Sequence, residues 1–145
     1  MNREILFRGK RVDDGEWVIG YLVRGEDYLY ETEMTTIFST DTIFYPHTET
    51  SGYDRVIADT VGQFTGLCDK NGKKIFEGDI VRFYDKDWAA NGIATVDFEK
   101  GRWKINGHYT TKLSSIVWLD LYRTGFEYEV IGNIFDNPEL LEEKL

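Results

Sequence analysis

The sequence predicts a mostly β protein: an N-terminal antiparallel β-subdomain, a C-terminal SH3-like small barrel and a short C-terminal helix. Three observations predict it. Short runs of alternating apolar residues recur along the chain, turn residues such as Asp14-Gly15 separate them, and 15% of the residues are aromatic. A chain of 145 residues falls within the usual size of one domain. We therefore expect a single domain with two parts, residues 1–66 and residues 67–145.

The N-terminal part begins with a predicted hairpin. Two strand-like runs, "EILFRGKRV" and "EWVIGYLV", flank the turn signal Asp14-Gly15. On the second run Trp17, Ile19 and Tyr21 recur at period two and therefore share one face of the strand. We expect Trp17 to belong to the core.

The C-terminal part has the strand rhythm of an SH3-like barrel. Its first strand is "EGDIVRF", and three closely spaced strands and a closing strand, "EYEVIGNIF", follow. The pairs Asn91-Gly92 and Asn106-Gly107 are turn signals, and Trp103 is expected in the core. In the tail, Pro138 suits the first turn of a short helix.

The charge balance bears on partners and location. With 26 acidic and 17 basic residues the net charge is −9, which disfavours non-specific binding to nucleic acid. A local basic patch stays open, but we interpret Lys70, Lys73 and Lys74 as solvated turn charges. The sequence shows neither a signal peptide nor an apolar run long enough to span a membrane, so we expect a cytoplasmic protein.

The single cysteine and the two histidines offer little chemistry. Cys68 excludes an internal disulfide framework and suits a reducing compartment. His47 or His108 would have to activate it as a nucleophile, and no nucleophile motif surrounds it, so we expect a buried or turn-adjacent thiol. The same two histidines are too isolated in sequence to predict a metal site. We expect no cofactor.

Two carboxylates flank a glycine in the triplet Glu77-Gly78-Asp79. Paired carboxylates can perform acid–base chemistry or hold a divalent cation, and together with His108 they would define a hydrolase or a metal enzyme. The simpler interpretation is a tight turn, in which Gly78 supplies the backbone conformation and Asp79 accepts hydrogen bonds from nearby amides. We favour the turn, and we expect no catalytic residues.

The aromatic residues supply one candidate for binding. Trp88 lies in a polar segment, "DKDWAANG", where a large aromatic side chain is either a ligand contact or a core residue of a β protein. We take Trp88 as the candidate binding residue.

Three blocks of sequence resemble the YopX family of bacteriophage and prophage proteins. They are "FRGKRVDDGEWVIGYLV", "VGQFTGLCDKNGKKIFEGDIVRF" and "YEVIGNIFDNPELLE". The resemblance implies a small, mostly β, intracellular protein encoded by a phage or prophage, and it assigns no catalytic or ligand residue. The middle block is the most specific, and its signature positions are Thr65, Gly66, Leu67, Asp69, Gly72, Glu77, Gly78 and Asp79.

Two classes of function remain after these observations. The first is a non-enzymatic protein-binding or assembly module, whose partner is another protein or a second copy of the chain. The second is a small-barrel protein that binds nucleic acid in phage DNA or RNA metabolism, which the net charge of −9 disfavours.

Overall fold

The computed structural model describes residues 4–27, 32–39, 53–86, 90–110, 119–120 and 125–142. The chain divides into two compact units, Met1–Phe64 and Thr65–Leu145. In both units the sheets are antiparallel. The mostly β class predicted from the sequence is confirmed.

The first unit contains five neighbouring strands in the order β4-β3-β2-β1-β5, with a 3₁₀ turn at Ala58–Thr60 between β4 and β5. Strand β5 continues into the second unit. The strands are β1 (Phe7–Lys10), β2 (Trp17–Asp27), β3 (Thr32–Ser39), β4 (Tyr53–Arg55) and β5 (Gly62–Cys68).

The predicted hairpin at Asp14-Gly15 is confirmed. Strands β1 and β2 pair in antiparallel register. Gly15 has a φ of 72° and donates its N–H to the carbonyl oxygen of Arg11 at 3.0 Å. Asp14 closes the turn, because its Oδ1 accepts the N–H of Glu16 at 3.0 Å.

The core side of β2 is the face opposite to the one that carries Trp17. Val18 is buried with Val56, whereas Ile19 and Tyr21 are 38% and 56% exposed. Trp17 is half-buried, and the guanidinium carbon of Arg8 lies 4.6 Å from the centre of its ring. The prediction of Trp17 as core is therefore wrong, since period two alone does not say which face of a strand is covered.

The second unit contains a five-stranded sheet in the order β10-β9-β8-β7-β11, and β6 pairs with the end of β5. Strands β10 and β11 lie at the two ends of this sheet, and no closed barrel is found among the described strands. A 3₁₀ turn at Pro138–Glu142 follows, where the sequence predicts a short helix. The strands are β6 (Lys74–Phe76), β7 (Asp79–Asp85), β8 (Ala90–Glu99), β9 (Arg102–Thr110), β10 (Leu119–Asp120) and β11 (Phe126–Asn133).

Buried and exposed residues alternate along the strands, and the buried ones form the core of the second unit. On β7 the side chains of Val81 and Phe83 are fully buried, while Arg82 and Tyr84 point to the opposite, exposed side. Trp103 is 4% exposed, which confirms its predicted place in the core. The buried cluster consists of Ile75, Val81, Phe83, Ala94, Val96, Trp103, Ile105 and Tyr128.

Two predicted turns lie inside strands instead. Asn91-Gly92 belongs to β8, and Asn106-Gly107 belongs to β9. The pairing of β8 with β9 passes from Gly107 to Tyr109, so His108 is the extra residue of a β-bulge. The hairpin turn between β8 and β9 is Lys100-Gly101, with φ values of 50° and 79°, the two positive values of a type I′ turn.

Candidate functional site

Asp69 organises the turn between β5 and β6. Its Oδ1 accepts the backbone N–H groups of Asn71 at 2.8 Å and Lys73 at 2.9 Å. Its Oδ2 accepts the N–H of Val130, on β11, at 3.0 Å. The neighbouring Lys70 donates its own N–H to the carbonyl oxygen of Tyr128 at 2.9 Å. This turn therefore covers part of the outer edge of β11, which is the end strand of the sheet.

The environment of Asp69 favours its charged form. Burial raises the pKa of the carboxyl, but the hydrogen bonds from Val130, Lys73 and Asn71 and the charge of Lys73 outweigh it. The pKa of Asp69 accordingly lies below its ordinary value of 3.8. The carboxylate accepts three backbone N–H groups of the fold, so its role is to hold the turn against β11.

The preceding signature residues shape the end of β5. Thr65 is 2% exposed, and its hydroxyl donates to the carbonyl oxygen of Ile75 at 2.8 Å and accepts the N–H of Leu67 at 3.2 Å. Gly66 has a φ of 88°, a conformation that favours glycine. Leu67 packs against the core cluster of the second unit. These three residues hold β5 against β6.

The Glu77-Gly78-Asp79 triplet is the turn between β6 and β7. Gly78 has a φ of 85°. Asp79 is 1% exposed, and its Oδ2 accepts the N–H of Phe76 at 2.8 Å. The geometry agrees with the turn interpretation of the triplet, since Gly78 supplies the positive φ and Asp79 accepts a nearby backbone N–H.

The exposed side of the second unit carries a concave surface, which we call the Tyr84 groove. Its volume is about 350 Å³, and it crosses strands β8, β7 and β11. The ladder pairs Arg82 with Glu129 and Tyr84 with Glu127, so these four side chains share one face. The lining residues are Lys70, Arg82, Phe83, Tyr84, Asn91, Glu127, Tyr128 and Glu129.

An exposed aromatic ring and three ion pairs define the chemistry of the Tyr84 groove. Tyr84 is 44% exposed. A single carboxylate, Glu129, lies 3.5 Å from both the Lys70 ammonium and the Arg82 guanidinium. Beside them Glu127 lies 3.2 Å from the ammonium of Lys86. Among the described residues, the lining of the groove balances two cations, Lys70 and Arg82, with the two carboxylates, and the adjacent Lys86 adds a third cation to this side of the sheet.

A second concave surface lies in the first unit and differs in chemistry. It has a volume of about 430 Å³, and its described lining consists of Glu4, Ile5, Phe7, Tyr21 and Leu22. The described lining is thus mainly apolar, whereas that of the Tyr84 groove contains paired charges.

The remaining sequence candidates divide into residues that the structure describes and residues that it does not describe. Trp88 and His47 lie outside the described residues, and for His108 only the backbone is described. Cys68 is an exposed free thiol at the end of β5, next to the turn. Of the three lysines of the predicted basic turn, Lys70 lines the Tyr84 groove.

Apart from Lys70, the groove residues were missed by sequence reasoning, although a signal for them exists. Alternation in "DIVRFYD" places Arg82 and Tyr84 on one face, and alternation in "EYEV" does the same for Glu127 and Glu129. The pairing of these two strands, which are about 45 residues apart in the chain, is not contained in either pattern.

Within the described ranges, histidine, cysteine, aspartate and glutamate form no group of three or more that could hold a metal ion. A membrane-spanning helix is likewise missing from this part of the chain, because no helix there is both long and apolar enough.

The strands form two antiparallel sheets, and the second unit carries the buried carboxylates of its turns and the exposed Tyr84 groove. The chain is therefore a mostly β protein of two units. The chain belongs to the YopX family, whose sequence model, described as "YopX protein", matches residues 6–142. It is similar to protein EF1440 from Enterococcus faecalis, known from a crystal structure, at 28% identity and a TM-score of 0.53. The likeness covers 95% of this chain and 98% of that protein. No curated protein matches the chain.

Proposed function

We propose that the protein is a non-enzymatic binding module that holds an extended, acidic segment of a partner protein in the Tyr84 groove. The observation that carries the proposal is the exposed ring of Tyr84 beside two cations, Lys70 and Arg82, that share one carboxylate. Exposed aromatic and arginine side chains are enriched where proteins bind one another. A carboxylate of the partner would pair with the exposed cations Lys70 and Arg82 of the groove.

The ion pairs of the groove are weak enough for a carboxylate of the partner to replace them. Both contacts of Glu129 are 3.5 Å, longer than the roughly 2.7–2.9 Å of a strong charge-assisted hydrogen bond. The side chains of Lys70 and Arg82 are 43% and 59% exposed. Exposed pairs of this kind contribute roughly 0–1 kcal/mol, so an incoming carboxylate replaces them at small cost.

The order of the strands supports an SH3-like barrel for the second unit as part of this proposal. The closing strand β11 pairs with the first strand β7, and β7, β8, β9 and β10 follow as sequential neighbours. An SH3-like barrel requires both features. We also propose that the protein is encoded by a phage or prophage and acts in the cytoplasm of the bacterial host, which rests on the family resemblance.

Nucleic acid is the second candidate class of partner. Lys70 of the basic turn favours it, as does the stacking platform that Tyr84 offers to a base. The net charge of −9 and the carboxylates of Glu127 and Glu129 beside these cations disfavour it. We therefore place it behind the protein partner.

Nuclear magnetic resonance with two synthetic peptides tests the proposal. The peptides have equal length, and one alternates glutamate with valine while the other alternates lysine with valine. We expect the acidic peptide to shift the amide signals of β7 and β11 around Arg82 and Glu129, and the basic peptide to leave them unchanged. Arg82→Glu should abolish the shifts, because it replaces one of the two cations of the groove with a carboxylate.

The matched control for Arg82→Glu is Lys100→Glu, which changes the net charge equally at an exposed turn outside the groove. This variant should bind the acidic peptide as the wild type does. Shifts that persist in Arg82→Glu, or that map outside the groove, would contradict the proposal. A single-stranded oligonucleotide that produces the groove shifts when the acidic peptide does not would favour the nucleic-acid class.

Self-assembly is the remaining form of the protein-partner proposal. Size-exclusion chromatography with light scattering measures it directly. A second copy as partner predicts a dimer or larger species that Arg82→Glu dissociates. A monomer at high protein concentration would remove self-assembly and leave the heterologous partner.

A further inference from the structure

The chain contains three Asn-Gly pairs, and the structure gives them different environments. Asn71-Gly72 lies in the exposed turn between β5 and β6, whereas Asn91-Gly92 and Asn106-Gly107 lie inside β8 and β9. Asn-Gly is the pair in which asparagine most readily loses ammonia, since glycine leaves the attacking amide unhindered. By sequence alone the three pairs are equivalent.

We propose that Asn71 is a site of spontaneous deamidation in the folded protein, and that the other two asparagines are protected by their strands. In this reaction the backbone nitrogen of Gly72 loses its proton and attacks Cγ of Asn71. A five-membered succinimide forms and ammonia leaves. Water then opens the ring at one of its two carbonyl groups, which yields aspartate or isoaspartate at position 71.

The described geometry favours the reaction at Asn71. Both residues of the pair are exposed, and nothing lies within 4 Å of the position that a Cβ on Gly72 would occupy. The nucleophilic amide is restrained by one hydrogen bond within the turn, from Gly72 N–H to the carbonyl oxygen of Asp69 at 3.0 Å. A single backbone hydrogen bond in an exposed turn contributes little to stability, so its local opening is frequent.

The strand environment opposes the reaction at the other two pairs. Gly92 is buried and lies opposite Phe83, a fully buried core residue, while β8 is paired on both sides by β7 and β9. Gly107 lies opposite Ala94, which is also fully buried. Ring closure at these positions requires part of the sheet to open. Because each 1.36 kcal/mol slows a step tenfold, we expect Asn71 to react at least about tenfold faster.

The product would weaken the anchor formed by Asp69. Isoaspartate adds one backbone atom inside the loop that Asp69 closes with Lys73, through Asp69 N–H to Lys73 O at 2.7 Å and Lys73 N–H to Asp69 Oδ1 at 2.9 Å. The same carboxylate holds Val130. Modification should therefore loosen the attachment of the turn to β11 and place a new negative charge beside Lys70, which lines the Tyr84 groove.

Timed incubation of the folded protein at mildly alkaline pH, followed by peptide mass spectrometry and enzymatic methyl labelling of isoaspartate, tests the inference. The peptide with residue 71 should gain mass and label at least about tenfold faster than those with residues 91 and 106. In urea the three rates should converge. Asn71→Gln is the control: it should not label at that position, and it should keep its unfolding midpoint while aged wild-type protein loses stability.

Two results would overturn the inference. The first is equal modification of Asn71, Asn91 and Asn106 in the folded protein. The second is modification of Asn71 only after the protein is unfolded.

Discussion

The signature segment, Thr65 to Asp79, and the Tyr84 groove lie in the same unit and use charged residues in opposite ways. In the signature segment the carboxylates of Asp69 and Asp79 are buried and accept backbone N–H groups at 2.8–3.0 Å. In the groove the exposed Arg82 meets the half-buried Glu129 at 3.5 Å. The first region holds strands together, and the second leaves its charges available.

This difference separates the family signature from the proposed binding surface. Buried carboxylates that accept backbone N–H groups specify one backbone arrangement, because removing them leaves those N–H groups without partners. Exposed ion pairs contribute little to stability, so a partner's charged group can replace them at small cost. We therefore interpret the signature segment as a feature that specifies the fold, and the groove as the proposed binding surface.

The largest effect is expected from Asp69→Ala, which removes the acceptor of three backbone amides. Since a hydrogen bond to a charged group contributes roughly 1.5–3 kcal/mol, the free energy of unfolding should fall by about 3 kcal/mol. Urea unfolding measures it. Asp14→Ala is the matched control, because Asp14 accepts one backbone amide and the Arg11 guanidinium in an exposed hairpin turn, and its loss should cost much less. Equal losses of unfolding free energy in the two variants would contradict the anchoring role of Asp69.

The pH dependence of stability should follow from the same carboxylate. The pKa of Asp69 in the folded protein lies below its ordinary value of 3.8, because the amides and Lys73 outweigh burial. The unfolded chain therefore binds the proton more tightly, and the stabilisation from Asp69 is complete above its unfolded pKa. It is lost as the pH falls through the folded value. Acid titration of the unfolding free energy should be flatter for Asp69→Asn than for wild type, and an unchanged slope would contradict the assignment.

A smaller effect is expected from Gly78→Ala in the turn before β7. The φ of 85° is costly for a residue with a Cβ, by about 1–2 kcal/mol. Space is not the cause, because an added Cβ would lie 3.5 Å from the ring of Phe135, an ordinary contact. Gly78→Asn should be less destabilising than Gly78→Ala in thermal unfolding, since asparagine tolerates this conformation better. The reverse order would show that packing decides.

The smallest effect on stability is expected from Tyr84→Ser in the groove. Its side chain is 44% exposed, so the free energy of unfolding should change by less than about 0.5 kcal/mol. Binding of the acidic peptide should nevertheless weaken, whereas Tyr21→Ser, at a similarly exposed ring in the first unit, should leave it unchanged. A large loss of stability in Tyr84→Ser would show that this ring is part of the core.

Local patterns were sufficient for several parts of the fold. The Asp14-Gly15 turn and Pro138 as the first residue of the terminal 3₁₀ turn follow from short-range chemistry. Each depends on residues within a few positions of one another. The Gly78 turn belongs to the same group, because its own residues determine its backbone.

Other predictions failed because partners distant in the chain decide them. Asn91-Gly92 and Asn106-Gly107 have the composition of turns, yet pairing with neighbouring strands keeps them extended. His108, directly after the second pair, is the extra residue of a β-bulge. Trp17 has the period of a core residue, but Val18 on the opposite face meets Val56 instead.

By itself, then, the sequence determined the strand class, the local turns and membership of the YopX family. Only the tertiary structure decided which face of each strand is covered, that Asp69 reaches Val130 across 61 positions, and that Arg82 and Tyr84 meet Glu129 and Glu127 in one groove. The physical reason is the range of the interactions. Turn geometry is set by adjacent residues, whereas strand register and burial are set by segments that meet only when the sheet forms.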